Sequence, residues 1–353
     1  GNILKKNDVS CIGIESKLGI HASPTCTMSF GENDGAIGYL VGPENQGLAC
    51  MFAMMNEARL AVGLQGVAVS ERAYQQAVAF SKDRIQGNVP DNKNAPIIEH
   101  PDVRRMLMTM RGLIEGGRAL TYSAYMHTDY KEKLDEGEKI SYHQRRIDLL
   151  TPVVKGWCTE NSIEVTSLGV QIHGGMGFIE ETGAAQHLRD ARILPIYEGT
   201  SGIQALDLVG RKLMKDDGRS ITELLAELNG VVKEAKEYNF EDMAINIEIA
   251  LNACKEATAL LLSAEKKDWF TLPAASFNMM MLLGGTVAGV MLVKSAVAAD
   301  AIIKQNPDAS VFYKNKVSTA IFFAEHILPR NIGYLSAIKY GSKSIMGINA
   351  KDF

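Results

Sequence analysis

From about residue 46 onward the hydrophobic positions recur every three to four residues, and this spacing persists to the C-terminus. The period matches one face of an α-helix, whereas a half-buried strand would alternate at every second residue. Helices are therefore predicted over residues 47 to about 85, 101 to about 134, 141 to about 172, 184–190 and 201 to about 214. Four more are predicted over 221–238, 243–266, 274–304 and 311–327. The first presents Leu48, Met51, Met54, Met55, Ala58, Val62, Gln65 and Val69 as its core face. Gly87 and Pro90 stop it, and Gly174-Gly175 stop the third, because glycine tolerates left-handed backbone and proline blocks continuation. Long helices joined by short loops imply an antiparallel bundle. Lys215-Asp216-Asp217-Gly218 reads as a linker to a second, separate helical bundle.

Before residue 43 the pattern is different. Short apolar runs at 11–14, 26–30 and 36–41, broken by Gly31-Glu32-Asn33-Asp34-Gly35, read as antiparallel strands. Three strands do not close a stable sheet alone, so they are expected to complete a β domain begun upstream, the chain being a fragment of a longer protein. The expected fold class is mainly α: a partial β domain followed by an antiparallel helical bundle and a second C-terminal helical bundle. The boundaries fall at 1–45, 46–216 and 219–353.

Composition adds limits. The 353 residues are 46% hydrophobic, with 37 Lys plus Arg against 41 Asp plus Glu. A net charge of -4 gives no general attraction for nucleic acid or an anionic membrane. The five cysteines are scattered and odd in number, which suggests neither a disulfide framework nor a metal site and fits a cytoplasmic location. The longest apolar stretch, residues 279–293, falls short of the roughly 20 residues a spanning helix needs, so it reads as a core helix and no membrane span is expected.

The densest group of chemically suggestive residues is Gln171-Ile172-His173-Gly174-Gly175-Met176-Gly177-Phe178, followed by Arg189-Asp190-Ala191 and then Ile196-Tyr197-Glu198-Gly199-Thr200-Ser201-Gly202-Ile203-Gln204. Glycines let a backbone approach a ligand closely, Thr200 or Ser201 can cap a helix, and Glu198 is a lone carboxylate among Ile196, Tyr197 and Ile203. The residues alone leave two readings open. One is a ligand site around Glu198; the other is a helix stop at Gly174-Gly175 and a polar capped turn at 198–200.

In this order and spacing, these motifs resemble those of the acyl-CoA dehydrogenase family. Lys17-Leu18-Gly19-Ile20-His21-Ala22-Ser23, Asn56-Glu57-Ala58-Arg59 and Asp83-Arg84-Ile85-Gln86-Gly87 strengthen the likeness, which covers residues 17–211. The part after Gly218 resembles the longer members, including those acting on sulfur-containing acyl-CoA substrates.

The resemblance implies FAD as cofactor and an acyl-CoA thioester as substrate. Glu198 would be the catalytic base that removes the α-proton while a hydride leaves the β-carbon for the flavin N5. Arg84, Gln171, Gly174 and Gly175 would bind the diphosphate and adenosine parts of FAD, partly across a subunit interface. Thr200 and Ser201 would meet the flavin, and Asn56, Arg59 and Gly199 the substrate. Gly202 departs from the glutamine many relatives carry, His100 matches a flavin-proximal position only loosely, and His173 reads as packing. An electron-transferring flavoprotein would accept the electrons from a homodimer or dimer of dimers. The alternatives are an alkylation-response-type DNA-associated flavoprotein, suggested by tail residues Lys304, Lys314, Lys316, Arg330, Lys339, Lys343 and Lys351, an acyl-CoA oxidase, or a helical interaction module without activity.

Overall fold

The computed structural model describes residues 6–33, 35–134, 137–264, 268–306 and 308–353. The opening residues 1–5, the turn residue Asp34 and the predicted helix end at Lys266 lie outside them. The chain folds as two compact units, Gly1–Ala58 and Arg59–Phe353.

In the first unit, strands β1 (Val9–Ile14) and β2 (Cys26–Phe30) pair antiparallel, with Val9 opposite Phe30, Ile14 opposite Cys26 and an irregularity between Cys11 and Gly13. The third strand expected at 36–41 is not formed. Among the described residues its ladder-like link is to the side chain of Asn7, which accepts from the Ile37 amide and donates to the Ile37 carbonyl, both at 2.9 Å. An amide side chain offers one such rung. Without a backbone partner beyond it, Ile37, Tyr39, Leu40 and Val41 stay exposed.

Helix α1 (Gly47–Asp83) leads into the second unit. Its predicted core face is corrected in part by the structure: Val62 is buried as predicted, Leu48, Met51, Met54 and Gln65 are exposed, and the buried face from Leu60 onward also takes in Gly63, Gly66, Val67, Ser70, Ala73 and Ala77. Helix α3 (Gly137–His173) decides this. A Cβ on Gly63 would lie 2.5 Å from Val154, and one on Gly66 would lie 2.8 Å from the Cys158 carbonyl. The two backbones approach where α1 has no side chain, so small residues mark the interface better than methionines. After α1, a short hairpin of β3 (Asn88–Val89) and β4 (Asn92–Lys93) leads to α2 (Pro101–Lys133). Proline at the first helical position is preorganised for a helix start and lacks only an N–H that would have gone unpaired. Helix α2 lies against α3.

Two short helices follow, α4 (Ala184–Ala191) and α5 (Ser201–Leu206). The single helix predicted at 201–214 instead widens into π geometry over Asp207–Leu213. Then come α6 (Arg219–Glu237), α7 (Glu241–Ala264), α8 (Thr271–Gln305), α9 (Val311–Phe322) and α10 (Arg330–Tyr340). Helix α10 was not predicted. It is fastened by a two-pronged Arg330–Glu164 pair at 2.7 and 2.8 Å and by Asn331, which donates to the Leu282 carbonyl and the Thr286 hydroxyl.

The helices predicted as a separate second bundle share one hydrophobic core with α2 and α3. Helix α8 packs against α2, α3 and α5 as well as α6, α7, α9 and α10. It is long and apolar enough to cross a membrane by length and composition, but residues 279–290 are buried against protein. The contact with α3 is interlocked: Met280 fills the space over Gly156, and Trp157 fills the space over Gly284.

Charged groups tie α6 to α3. Arg146, with no exposed surface, donates to the Ser220 carbonyl at 2.7 Å and to Glu227 at 2.6 Å. Nearby, the Nδ1 atoms of His127 and His143 are 2.8 Å apart, so one ring must donate and the other accept. Burial, then the neighbouring His143 and Arg146, hold the His127 pKa down to about 4, with Glu227 opposing. Between pH 6.5 and about 4 the unfolded chain therefore binds more protons at this residue than the folded one. The contribution is complete above pH 6.5 and is lost as pH falls through this window. His127→Gln is expected to flatten the fall in thermal midpoint between pH 6.5 and 4; an unchanged slope would assign that loss to other groups.

Candidate active site

The segment between α4 and α5 is wound by its own backbone bonds. Tyr197 N–H donates to the Ile193 carbonyl at 3.1 Å and Ser201 N–H to the Pro195 carbonyl at 2.9 Å. The turn between these bonds places Glu198 at φ 57° and Gly199 at φ 90°. Left-handed backbone at a residue with a Cβ costs roughly 1–2 kcal/mol, so its surroundings must hold it. Gln204, fully buried on α5, donates from Nε2 to the Glu198 carbonyl at 3.1 Å and to the Gly199 carbonyl at 3.4 Å. Lys155 of α3, also fully buried, donates from Nζ to the Gly199 carbonyl at 2.7 Å. Thr200 caps α5 by accepting from the Ile203 amide at 3.3 Å. A side chain at position 199 would meet Gln204 at 2.8 Å, in addition to its positive φ.

Among the described residues, two buried acceptors at this turn find no hydrogen-bond partner: Glu198 Oε2 and, on α5, Gln204 Oε1. Nearly all buried polar atoms in native proteins are paired, so an unpaired carboxylate oxygen marks a place where something else is to be met.

Around the turn, Tyr197 bonds to Gln65 of α1 through its hydroxyl, and burial followed by the Glu198 charge raises its pKa. Arg59 is buried, and its guanidinium is 3.7 Å from Asp207, directly after α5. This carboxylate is the partner that a buried arginine requires. Arg59, Gly199, Thr200 and Ser201 thus fall around one junction of α1, α3 and α5 with Glu198. Asn56 is exposed and belongs to the first unit.

The flavin-side candidates form separate clusters. Arg84 is exposed at the end of α1, its guanidinium touching only the Gln86 side chain at 3.5 Å among the described contacts. His100 turns away from such a role: its Nε2 is 2.8 Å from the Gln86 carbonyl, and its ring fills the space beside Gly87. Gln171 and the two glycines after it are exposed where α3 ends. Gly174 has φ 59°, and a Cβ on either glycine would meet nothing within 4 Å. His173 is buried, stacked on Phe80 at 4.4 Å and bonded to the Gly169 carbonyl at 2.7 Å. It serves packing.

Residues 45–214 match the family model described as acyl-CoA dehydrogenase, C-terminal domain, and residues 224–349 match the model described as acetyl-CoA dehydrogenase C-terminal like. The chain belongs to the acyl-CoA dehydrogenase family. It is 46% identical to 3-methylmercaptopropionyl-CoA dehydrogenase of Ruegeria pomeroyi over 93% of this chain and 56% of that protein. It is 31% identical to a butyryl-CoA dehydrogenase of Syntrophomonas wolfei over 96% of this chain and 57% of that protein. The chain thus spans somewhat more than half the length of these curated relatives. Its fold is similar to part of that of Caenorhabditis elegans ACDH-11 in complex with C11-CoA (TM-score 0.75, 21% identity, 90% of this chain and 50% of that one). It is likewise similar to part of that of a Bacillus anthracis acyl-CoA dehydrogenase complexed with FAD (TM-score 0.70, 22% identity, 98% and 58%).

Within this chain of the acyl-CoA dehydrogenase family, Lys155 and Asp207 are not singled out by the sequence, and Gln65 is read there only as part of a core face. Lys155 had a signal: a lone cation inside the apolar run Leu149-Leu150-Thr151-Pro152-Val153-Val154-Lys155-Gly156-Trp157. Gln204 stood in the motif, but its bonds to the turn carbonyls follow only from the turn itself.

Proposed function

We propose that this chain is the C-terminal part of an FAD-dependent acyl-CoA dehydrogenase, with sequence segments 1–45, 46–216 and 219–353, the last two sharing one core, and with Glu198 as the base that takes the substrate α-proton. The observation that carries this reading is the Glu198 carboxylate itself, with one oxygen buried and unpaired on a turn fixed by two buried donors. A base that makes no internal hydrogen bond through that oxygen is free to meet a C–H proton, and a fixed turn aims it. The Glu198 N–H and the adjoining Gly199 backbone would face the thioester, whose carbonyl needs a donor as negative charge develops on it. Arg59 and Asn56 would lie on the substrate side.

The residues on the cofactor side suit a dinucleotide. An exposed guanidinium at Arg84 matches a diphosphate, and Gly174-Gly175 leave their backbone open to close approach. Gln171 supplies an exposed amide, and Thr200 with Ser201 would border the ring system. FAD, when bound there, supplies the acceptor for the β-hydride. Arg84→Ala is expected to weaken FAD binding about tenfold or more, the scale of a charge-assisted hydrogen bond. Fluorescence titration of the flavin-free full-length protein measures it, and an unchanged Kd would remove Arg84 from the site.

An electron-transferring flavoprotein as acceptor, a homodimer or dimer of dimers, and a cytoplasmic location complete the proposal. The DNA-associated alternative is disfavoured by the tail: Lys304 pairs with Asp300, Lys316 with Glu115, Arg330 with Glu164 and Lys339 with Glu256, all at 2.7–2.8 Å. Their charge is spent within the protein. Anaerobic flavin bleaching by a panel of acyl-CoAs, repeated with Glu198→Gln, tests the main reading; bleaching of the variant at the native rate overturns it.

A further inference from the structure

Lys155 stands out among the buried groups. It sits in mid-α3 between Val154 and Gly156, has no exposed surface, and directs its ammonium at one backbone carbonyl, that of Gly199. Core packing does not explain it, since a methionine fills a similar volume without burying a charge. Its acceptor belongs to a glycine, which by itself takes either sign of φ with equal ease. Something must select the φ of 90° that Gly199 has, and with it the orientation of the preceding residue.

Two donors do so from two different helices. Gln204 of α5 holds the Glu198 carbonyl and reaches that of Gly199, while Lys155 of α3 holds the Gly199 carbonyl. Fixing two successive carbonyls fixes the peptide between them, and therefore the direction in which the Glu198 side chain leaves the backbone. We propose that Lys155 is a positioning residue for Glu198: by holding the Gly199 carbonyl it selects the left-handed turn that aims the carboxylate. This inference rests on the reading of Glu198 as the base.

The charge on Lys155 matters to the strength of that hold. Burial presses its pKa down to about 8, Arg59 of α1 acts in the same direction, and Glu160 on its own helix and Glu198 in the turn oppose them. Asp207, paired with Arg59, is the further carboxylate nearby. Below pH 8 an ammonium donates to Gly199; above it a neutral amine donates more weakly.

The test uses Lys155→Met in the full-length protein. Amide exchange over residues 196–202, followed in flavin-free protein, is expected to speed up about tenfold. In the FAD-loaded protein the limiting rate of acyl-CoA-driven bleaching is expected to fall about tenfold or more with little change in substrate affinity. A decline in that rate above pH 8 is expected in the native protein and not in the variant. Lys155→Arg, which keeps a cationic donor, should restore part of the rate. Unchanged exchange and an unchanged pH profile, while Glu198→Gln is inactive, would overturn the inference and leave the base reading standing. Native bleaching by Glu198→Gln would overturn both. Should Lys155→Met not yield folded protein, Lys155→Leu, which likewise has no donor, carries the same outcomes.

Discussion

Glu198→Gln in the FAD-loaded full-length protein is expected to slow flavin bleaching by acyl-CoA about a thousandfold, while the thermal midpoint moves little. The rate effect follows from chemistry: an amide of the same shape has no basic oxygen, and a positioned general base contributes about 10²–10⁴-fold. The small stability effect follows from the structure. The carboxylate oxygen at issue makes no hydrogen bond, so substitution breaks none through it, and the turn is held by backbone carbonyls that the variant retains. Stopped-flow absorbance in the flavin band measures the first and circular dichroism on heating the second. A large loss of stability together with the loss of rate would make the residue structural.

Trp157→Ala is expected to lower stability by about 3–5 kcal/mol, the range for truncating a large buried aromatic. Trp157 is 3% exposed, and its ring lies over Gly284, where a Cβ would come within 2.4 Å. The indole thus fills a gap that α8 leaves for it. Conversely, Gly284→Val would push two methyl groups into the ring, and overpacking of this kind costs about 1–3 kcal/mol. Because α8 belongs to the core of both helix groups, each substitution should shift unfolding of the whole Arg59–Phe353 unit. Urea titration by far-ultraviolet circular dichroism is the measurement; a second transition left in place would show that the two groups unfold independently.

Much of the helical layout follows from the sequence by local physics. Helix α1 begins at Gly47 and α2 at Pro101, while the glycine pair at 174–175 follows the end of α3, as their signals indicated. These are properties of single residues and their immediate neighbours. The short apolar runs at 11–14 and 26–30 likewise gave a correct strand pair. The similar run at 36–41 did not, because a strand needs a partner and local pattern does not supply one.

For the candidate site, the motif singled out Glu198, Gly199, Thr200 and Ser201, yet its residues alone were equally consistent with a capped polar turn. Burial and pairing are what support the ligand-site reading. Among the described residues Glu198 has a buried oxygen without a partner, on a turn closed by Pro195 and Gln204 of its own segment and by Lys155 from the middle of α3. The face of α1 was misplaced for a related reason: periodicity favours large apolar residues, whereas α3 approaches along Gly63 and Gly66.

By itself, then, the sequence determined where most of the long helices lie and which short motif is the candidate for the chemistry, since both depend on neighbours within a few residues. Tertiary structure decided that two apparent bundles share α8. It also decided that a lysine 43 positions before the candidate base holds the turn on which that base sits. Those outcomes depend on which helices lie side by side, and contacts between distant segments leave no periodic trace in either one.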